Sequence, residues 1–135
     1  MKILRISHVG IAVHSLDQAS RFYGETLGIP VASRENVEEQ KVAVAMHPLG
    51  ECRIELLEPT DPLSPIAKFL NKRGQGVHHL CLEVEDLEAS LRELKARGVR
   101  LIDEVPRTGA GGCRVAFIHP ESTQGVLIEL NEEVK

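Results

Sequence analysis

The chain has no tryptophan, one tyrosine (Tyr23) and three phenylalanines (Phe22, Phe69 and Phe117). It also lacks a basic excess, with a formal charge of −4 and a pI of about 5.9. A nucleic-acid binder needs a cationic face or stacking aromatics, so that class of partner is not expected. Cys52, Cys81 and Cys113 are odd in number and show no Cys-x-x-Cys spacing. That argues against a disulfide framework or a structural zinc knuckle. No apolar run approaches the ~20 residues of a membrane-spanning helix, so no membrane partner is expected either. The opening Met1-Lys-Ile-Leu-Arg-Ile6 is too short and too charged for a secretory signal, which makes the cytoplasm the expected location.

What the chain does contain is a repeat. His8-Val-Gly-Ile-Ala-Val13 followed by Ser15-Leu-Asp-Gln-Ala19 is matched by His79-Leu-Cys-Leu-Glu-Val84 followed by Asp86-Leu-Glu-Ala89. Each copy closes on a second matched segment, Ile54-Glu-Leu56 in the first and Ile128-Glu-Leu130 in the second. The duplicated module therefore offers one imidazole and one carboxylate twice. Two histidines with two glutamates form a hard-to-borderline donor set for a divalent metal.

The patterning within each copy predicts βαβββ. Ile6–Val13 reads as a strand, and Ser15 caps a helix with Leu16, Ala19, Phe22, Tyr23 and Leu27 on its apolar side. A strand is expected near Val31–Ser33, then a polar connection over Arg34–Glu39, a strand over Val42–Met46, a turn at His47–Gly50 and a strand over Cys52–Leu57. Three prolines within Pro59–Pro65 mark the boundary, and Ser64-Pro65 opens a short helix. The second copy predicts a strand from Val77, a helix over Leu87–Arg97 ended by Gly98, and a strand over Val99–Ile102. A glycine-rich loop over Thr108–Gly112 and a hairpin of Arg114–Ile118 with Gly125–Leu130 complete it. The expected organisation is a single domain over 1–135, with module one over about 1–58, a linker and short helix over about 59–76, and module two over about 77–135. The expected fold class is α+β, two paired βαβββ modules forming a curved sheet around a central metal cavity.

Strand alternation then sorts the polar residues. Val9, Ile11 and Val13 share the helix-facing side of the first strand, and His8 takes the other. Leu80, Leu82 and Val84 do the same in the second copy, with His79, Cys81 and Glu83 opposite. This register selects His79 over His78. Glu55 and Glu129 likewise fall opposite the apolar faces of their strands. A single strand histidine is usually structural, and a single strand glutamate usually solvated. Four such residues at equivalent places point instead to one shared partner, because a mid-strand carboxylate among apolar neighbours is costly unless it is paired or bound. His14, His47, His78 and His119 are read as turn or core residues.

The same phrases carry a family resemblance. His8-Val-Gly-Ile-Ala-Val, Ile54-Glu-Leu-Leu-Glu-Pro59, Ser64-Pro-Ile-Ala-Lys-Phe-Leu70, Gly76-Val-His-His-Leu80, Gly109-Ala-Gly-Gly112 and His119-Pro-Glu-Ser-Thr with Gly125-Val-Leu-Ile-Glu-Leu130 resemble the vicinal oxygen chelate (glyoxalase/bleomycin resistance/dioxygenase) superfamily. Within it the chain is most similar to the methylmalonyl-CoA epimerases, along nearly its whole length. The resemblance implies a divalent metal at His8, Glu55, His79 and Glu129, with Co²⁺ the first choice and Mn²⁺, Ni²⁺, Zn²⁺ or Mg²⁺ as alternatives. It implies a small acyl-CoA substrate, a homodimer, and interconversion of the (R) and (S) forms of methylmalonyl-CoA through an enolate. Some epimerases place a second carboxylate base in the strand that here reads Lys41-Val-Ala-Val-Ala-Met46. The matching residue is Val44, so that base cannot be carried over. Glu129 becomes the first candidate for proton transfer and Glu55 its counterpart in the other module. Two alternatives stand beside this reading. One is a lactoylglutathione lyase acting on a hemithioacetal, which gives no reason for the Ser64–Leu70 segment. The other is a metal-free binding protein of the resistance type, which has no need of four polar residues in register. A dioxygenase is disfavoured by the fourth residue, Glu55, since that chemistry wants two histidines and one carboxylate.

Overall fold

A computed structural model describes residues 1–133; Val134 and Lys135, the end of the expected second module, lie outside the described residues. The chain divides into two compact units, one of residues His8–His78, the other of Met1–Ser7 with the described chain from His79 onward. Strand β1 (Ile3–Ala12) contributes to both.

In the His8–His78 unit the strands follow the order β2-β3-β4-β1, with β2 at Ser33–Val37, β3 at Val42–Leu49 and β4 at Cys52–Pro59. β1 and β4 run parallel, with Gly10 opposite Glu55, and the other pairs are antiparallel. Helix α1 (Leu16–Arg21) starts where expected, because Ser15 accepts from the Gln18 amide and the Glu58 carboxylate accepts from the Leu16 amide at 2.7 Å. It then widens into one π-helical turn over Phe22–Thr26. That turn rotates the apolar stripe, so Tyr23 packs on Val13, Leu16, Ala45 and Leu56 while Phe22 and Leu27 are exposed, contrary to the expected stripe. Ile11 and Ile54 join the same cluster, as their strand faces predict.

Two local expectations fail here. The stretch Arg34–Glu39, expected as a connection, contains β2, an edge strand whose only buried residue is Val37. Charged residues are how an exposed sheet edge avoids pairing with other chains, so polarity hid the strand. The turn expected at His47–Gly50 starts later. β3 continues through Pro48 to Leu49, and the hairpin closes over Gly50 and Glu51, with Gly50 at φ 61°. Helix α2 (Pro65–Arg73) is capped by the buried Ser64 hydroxyl, which accepts from the Ile66 amide, and it buries Ile66 and Leu70.

In the other unit the order is β1-β5-β8-β7-β6. The strands are β5 (Gly76–Val84), β6 (Arg107–Thr108), β7 (Arg114–Ile118) and β8 (Ile128–Glu132). β5 and β8 run parallel with Cys81 opposite Glu129. Helix α3 (Leu87–Ala96) is capped by Asp86, and Gly98 takes φ 80° after it. Its apolar face, Leu87, Leu91 and Leu94, packs on Val84, Ala116, Ile118 and Leu130, with Leu82 and Ile128 beside them. Arg114 bridges the helix and the sheet edge through Glu88, whose hydrogen bond pushes its guanidinium pKa up. The strand expected over Val99–Ile102 does not form. Val99 and Leu101 enter the core as irregular chain with one bridge to Ile118, and the third strand of this unit is β6. The hairpin is also shifted, since β8 begins at Ile128 and Val126 is exposed. Both units nonetheless have the βαβββ order.

Candidate metal centre

In the His8–His78 unit, β1 and β4 lie side by side and carry His8 and Glu55 on the face opposite α1. Both are buried, at 4 and 5% exposure, and His8 Nδ1 lies 3.4 Å from Glu55 Oε2. In the other unit β5 and β8 do the same for His79 and Glu129. Each is 5% exposed, and His79 Nε2 lies 3.1 Å from Glu129 Oε1. The Phe117 ring meets His79 edge to face at 5.6 Å, and Phe117 is the cross-strand partner of Glu129. The imidazole is thereby held between an aromatic ring and the carboxylate.

These distances allow a fit test for a metal. Two donor atoms each ~2.1 Å from one ion, at an octahedral or tetrahedral angle, are themselves roughly 3.0 to 3.4 Å apart. Each imidazole–carboxylate pair meets that spacing. Neutral imidazole nitrogen with carboxylate oxygen is also the right donor chemistry for a borderline divalent ion. His8, His79 and Glu129 are buried and each offers one atom of a kind that ligates a metal. Buried carboxylates are costly without such compensation.

The other histidines do not share this role. His47 has no exposure and its two ring nitrogens are committed, at 2.8 Å to Ser20 Oγ and 2.8 Å to the Ile29 carbonyl. It pins the turn after α1 to β3. His78 faces α2, with its ring edge to face on Phe69 at 5.0 Å. His119 caps a 3₁₀ turn, its Nδ1 accepting from the Glu121 amide. His14 contributes its backbone amide to Gln75. All four are structural, as the strand register predicts.

Val44 is buried on β3, on the same face as Glu55, and can neither take nor give a proton. Glu35 lies directly across the β2–β3 ladder from it, so strand pairing puts a carboxylate on that face one strand further out. In the other unit Glu83 and Asn131 are cross-strand neighbours and both buried. Asn131 was not singled out in the sequence. The two-residue step from Glu129 along β8 is the signal that places it on the site's face.

Residues 7–117 match the family model described as the glyoxalase/bleomycin resistance protein/dioxygenase superfamily. Over 129 residues the chain is 40% identical to the mitochondrial methylmalonyl-CoA epimerase of Homo sapiens, covering 95% of this chain and 73% of that one. The crystal structure of methylmalonyl-CoA epimerase from Mycobacterium tuberculosis superposes with a TM-score of 0.95 at 41% identity, covering 98% of this chain and 90% of that one. A methylmalonyl-CoA epimerase in complex with methylmalonyl-CoA and NH₄⁺ superposes equally well, with a TM-score of 0.95 at 39% identity over 98% of this chain and 96% of that one.

Proposed function

The chain belongs to the glyoxalase/bleomycin resistance/dioxygenase superfamily and, within it, to the methylmalonyl-CoA epimerases, a family of enzymes, and from that premise we propose that it is a metal-dependent epimerase interconverting (R)- and (S)-methylmalonyl-CoA. The observation that carries the metal dependence is the buried imidazole–carboxylate pair made twice, each with the spacing of two ligands on one ion. His8, Glu55, His79 and Glu129 together would hold that ion, with Co²⁺ the first candidate. When bound, it supplies a Lewis acid for the enolate oxygen that develops as the α-proton leaves.

The chain's own residues do the rest. The α-carbon of methylmalonyl-CoA lies between a thioester and a carboxylate, so its proton is weakly acidic. Inversion requires a proton taken from one face and returned to the other. Glu129 is the first candidate for this transfer, using a carboxylate oxygen not engaged as a ligand, and Glu55 is its counterpart. Val44 supports the assignment by elimination, since it leaves no acid at that place on β3. Phe117 fixes the His79 ring and shields one side of it from water, which strengthens electrostatic interactions there. Two chains would assemble as a homodimer in the cytoplasm. The substrate bound in the neighbouring epimerase structure supports the acyl-CoA assignment. Lactoylglutathione lyase activity is the competing reading for the same donor set, and no observation on the fold favours it. A substrate panel with metal analysis tests the proposal. Turnover of methylmalonyl-CoA that is lost to chelation and restored by Co²⁺ supports it, and faster turnover of a glutathione hemithioacetal refutes it.

A further inference from the structure

Helix α2 is the one segment whose charge the fold leaves uncompensated. From Pro65 to Arg73 it carries Lys68, Lys72 and Arg73 and no carboxylate, in a chain of net charge −4. All three are exposed. Among the described residues none has a carboxylate within ion-pair distance. Elsewhere the cations are paired. Lys2, Arg34, Lys95, Arg97, Arg100, Arg107 and Arg114 each have an acid within 4 Å. The α-helix macrodipole rewards cations in the last turn, which accounts for Lys72 and Arg73 but not for Lys68. Lys68 and Lys72 are four residues apart on one face, a like-charge spacing that weakens a helix. Helix α3 instead mixes Glu88, Arg92, Glu93 and Lys95.

The cationic face is also rigidly mounted. Ser64 caps the helix, and Ile66 and Leu70 bury its other side. The Arg73 guanidinium sits over the Phe69 ring at 6.0 Å, and that ring is braced against His78. A preorganised guanidinium beside two ammonium groups is a phosphate-binding arrangement. An acyl-CoA carries its reacting carbon and its phosphates at opposite ends of a long pantetheine arm, so a site for the phosphates is needed away from the reacting centre.

We propose that Lys68, Lys72 and Arg73 on α2 bind the phosphates of the coenzyme A moiety, a role that rests on the epimerase reading for its choice of ligand. The test compares the wild-type chain with the triple variant Lys68→Gln/Lys72→Gln/Arg73→Gln. A control, Arg21→Gln/Arg92→Gln, removes two other cations that have no ion-pair partner. The probes are methylmalonyl-CoA, the N-acetylcysteamine thioester of methylmalonate, which has no phosphates, and 3′,5′-ADP measured by calorimetry at two salt concentrations. The triple variant should raise KM for methylmalonyl-CoA about tenfold with kcat held, the order that three exposed ion pairs supply together. Its kcat/KM for the truncated thioester should stay at the wild-type value, which also reports that it folds. Its 3′,5′-ADP affinity should fall and lose its salt dependence. The site is refuted if the triple variant keeps wild-type KM and 3′,5′-ADP affinity, if the control loses as much, or if inorganic phosphate binds as tightly as 3′,5′-ADP. Calorimetry needs no turnover, so wild-type chain that binds 3′,5′-ADP through α2 but does not epimerise methylmalonyl-CoA would sink the epimerase reading and leave this site standing.

Discussion

Metal binding should be readable as thermal stability without any substrate. An ion that binds only the folded chain stabilises it by RT ln(1 + [L]/Kd), about 2.7 kcal/mol at a hundredfold excess over Kd. Unfolding entropy scales with length at roughly 2.1 cal/mol/K per residue, so for this 135-residue chain 1 kcal/mol corresponds to about 3.5 °C. Co²⁺ at a hundredfold excess should therefore raise Tm by about 10 °C. His79→Ala removes one donor of the 3.1 Å pair with Glu129, and the shift should collapse to a few degrees or less. The informative control is His47→Ala. That ring is fully buried and makes two hydrogen bonds, so its removal leaves a cavity and an unsatisfied Ile29 carbonyl. The cost should be about 2 to 4 kcal/mol, or roughly 7 to 14 °C of Tm without metal. The Co²⁺ increment should nonetheless stay near its wild-type size. Differential scanning fluorimetry of chelator-stripped protein, with and without Co²⁺, gives all the numbers. If His47→Ala and His79→Ala lose the increment equally, or wild-type protein shows none, the assignment of ligands is wrong.

Two further outcomes follow from named contacts. Glu129→Gln should lower kcat by about 10² to 10⁴, the contribution of a positioned acid or base, with metal content measured alongside. If it keeps its metal and turns over near the wild-type rate, proton transfer lies elsewhere, and Glu35, across the ladder from Val44, is the next residue to replace. At Gly109 a β-carbon would meet Val115 Cγ1 at 2.8 Å and Cγ2 at 3.2 Å. Gly109→Ala should cost about 1 to 3 kcal/mol by overpacking, and Val115→Ala in the same chain should relieve part of that, as a double-mutant cycle in urea would register.

Much of this architecture is legible in the sequence because it is written in local chemistry. Ser15, Ser64-Pro65, Asp86 and Gly98 act as helix signals at the residues where α1, α2 and α3 begin or end. Strand alternation separates His79 from His78, and the structure points the first at Glu129 and the second at Phe69. What escapes is set by tertiary context. β2 is polar because it lies on an edge, so its pairing with β3 is invisible in its own composition. Val99 and Leu101 are apolar because they fill the core under α3, and that burial does not require a strand. The π-helical turn after Arg21 shifts the helical phase, which is why Phe22 faces outward and Tyr23 inward. The His47 hydrogen bonds join residues far apart in sequence and leave no periodic trace.

The central claim is that this chain inverts the α-carbon of methylmalonyl-CoA by removing and returning its proton. Metal-loaded enzyme incubated in D₂O with a single epimer of methylmalonyl-CoA tests it directly, with the α-position followed by mass spectrometry and the epimer ratio by chiral analysis. The account predicts incorporation of one deuterium together with approach to an equal mixture of epimers, both abolished by chelation and by His79→Ala. Substrate recovered undeuterated and in its original configuration from fully metal-loaded protein would contradict it.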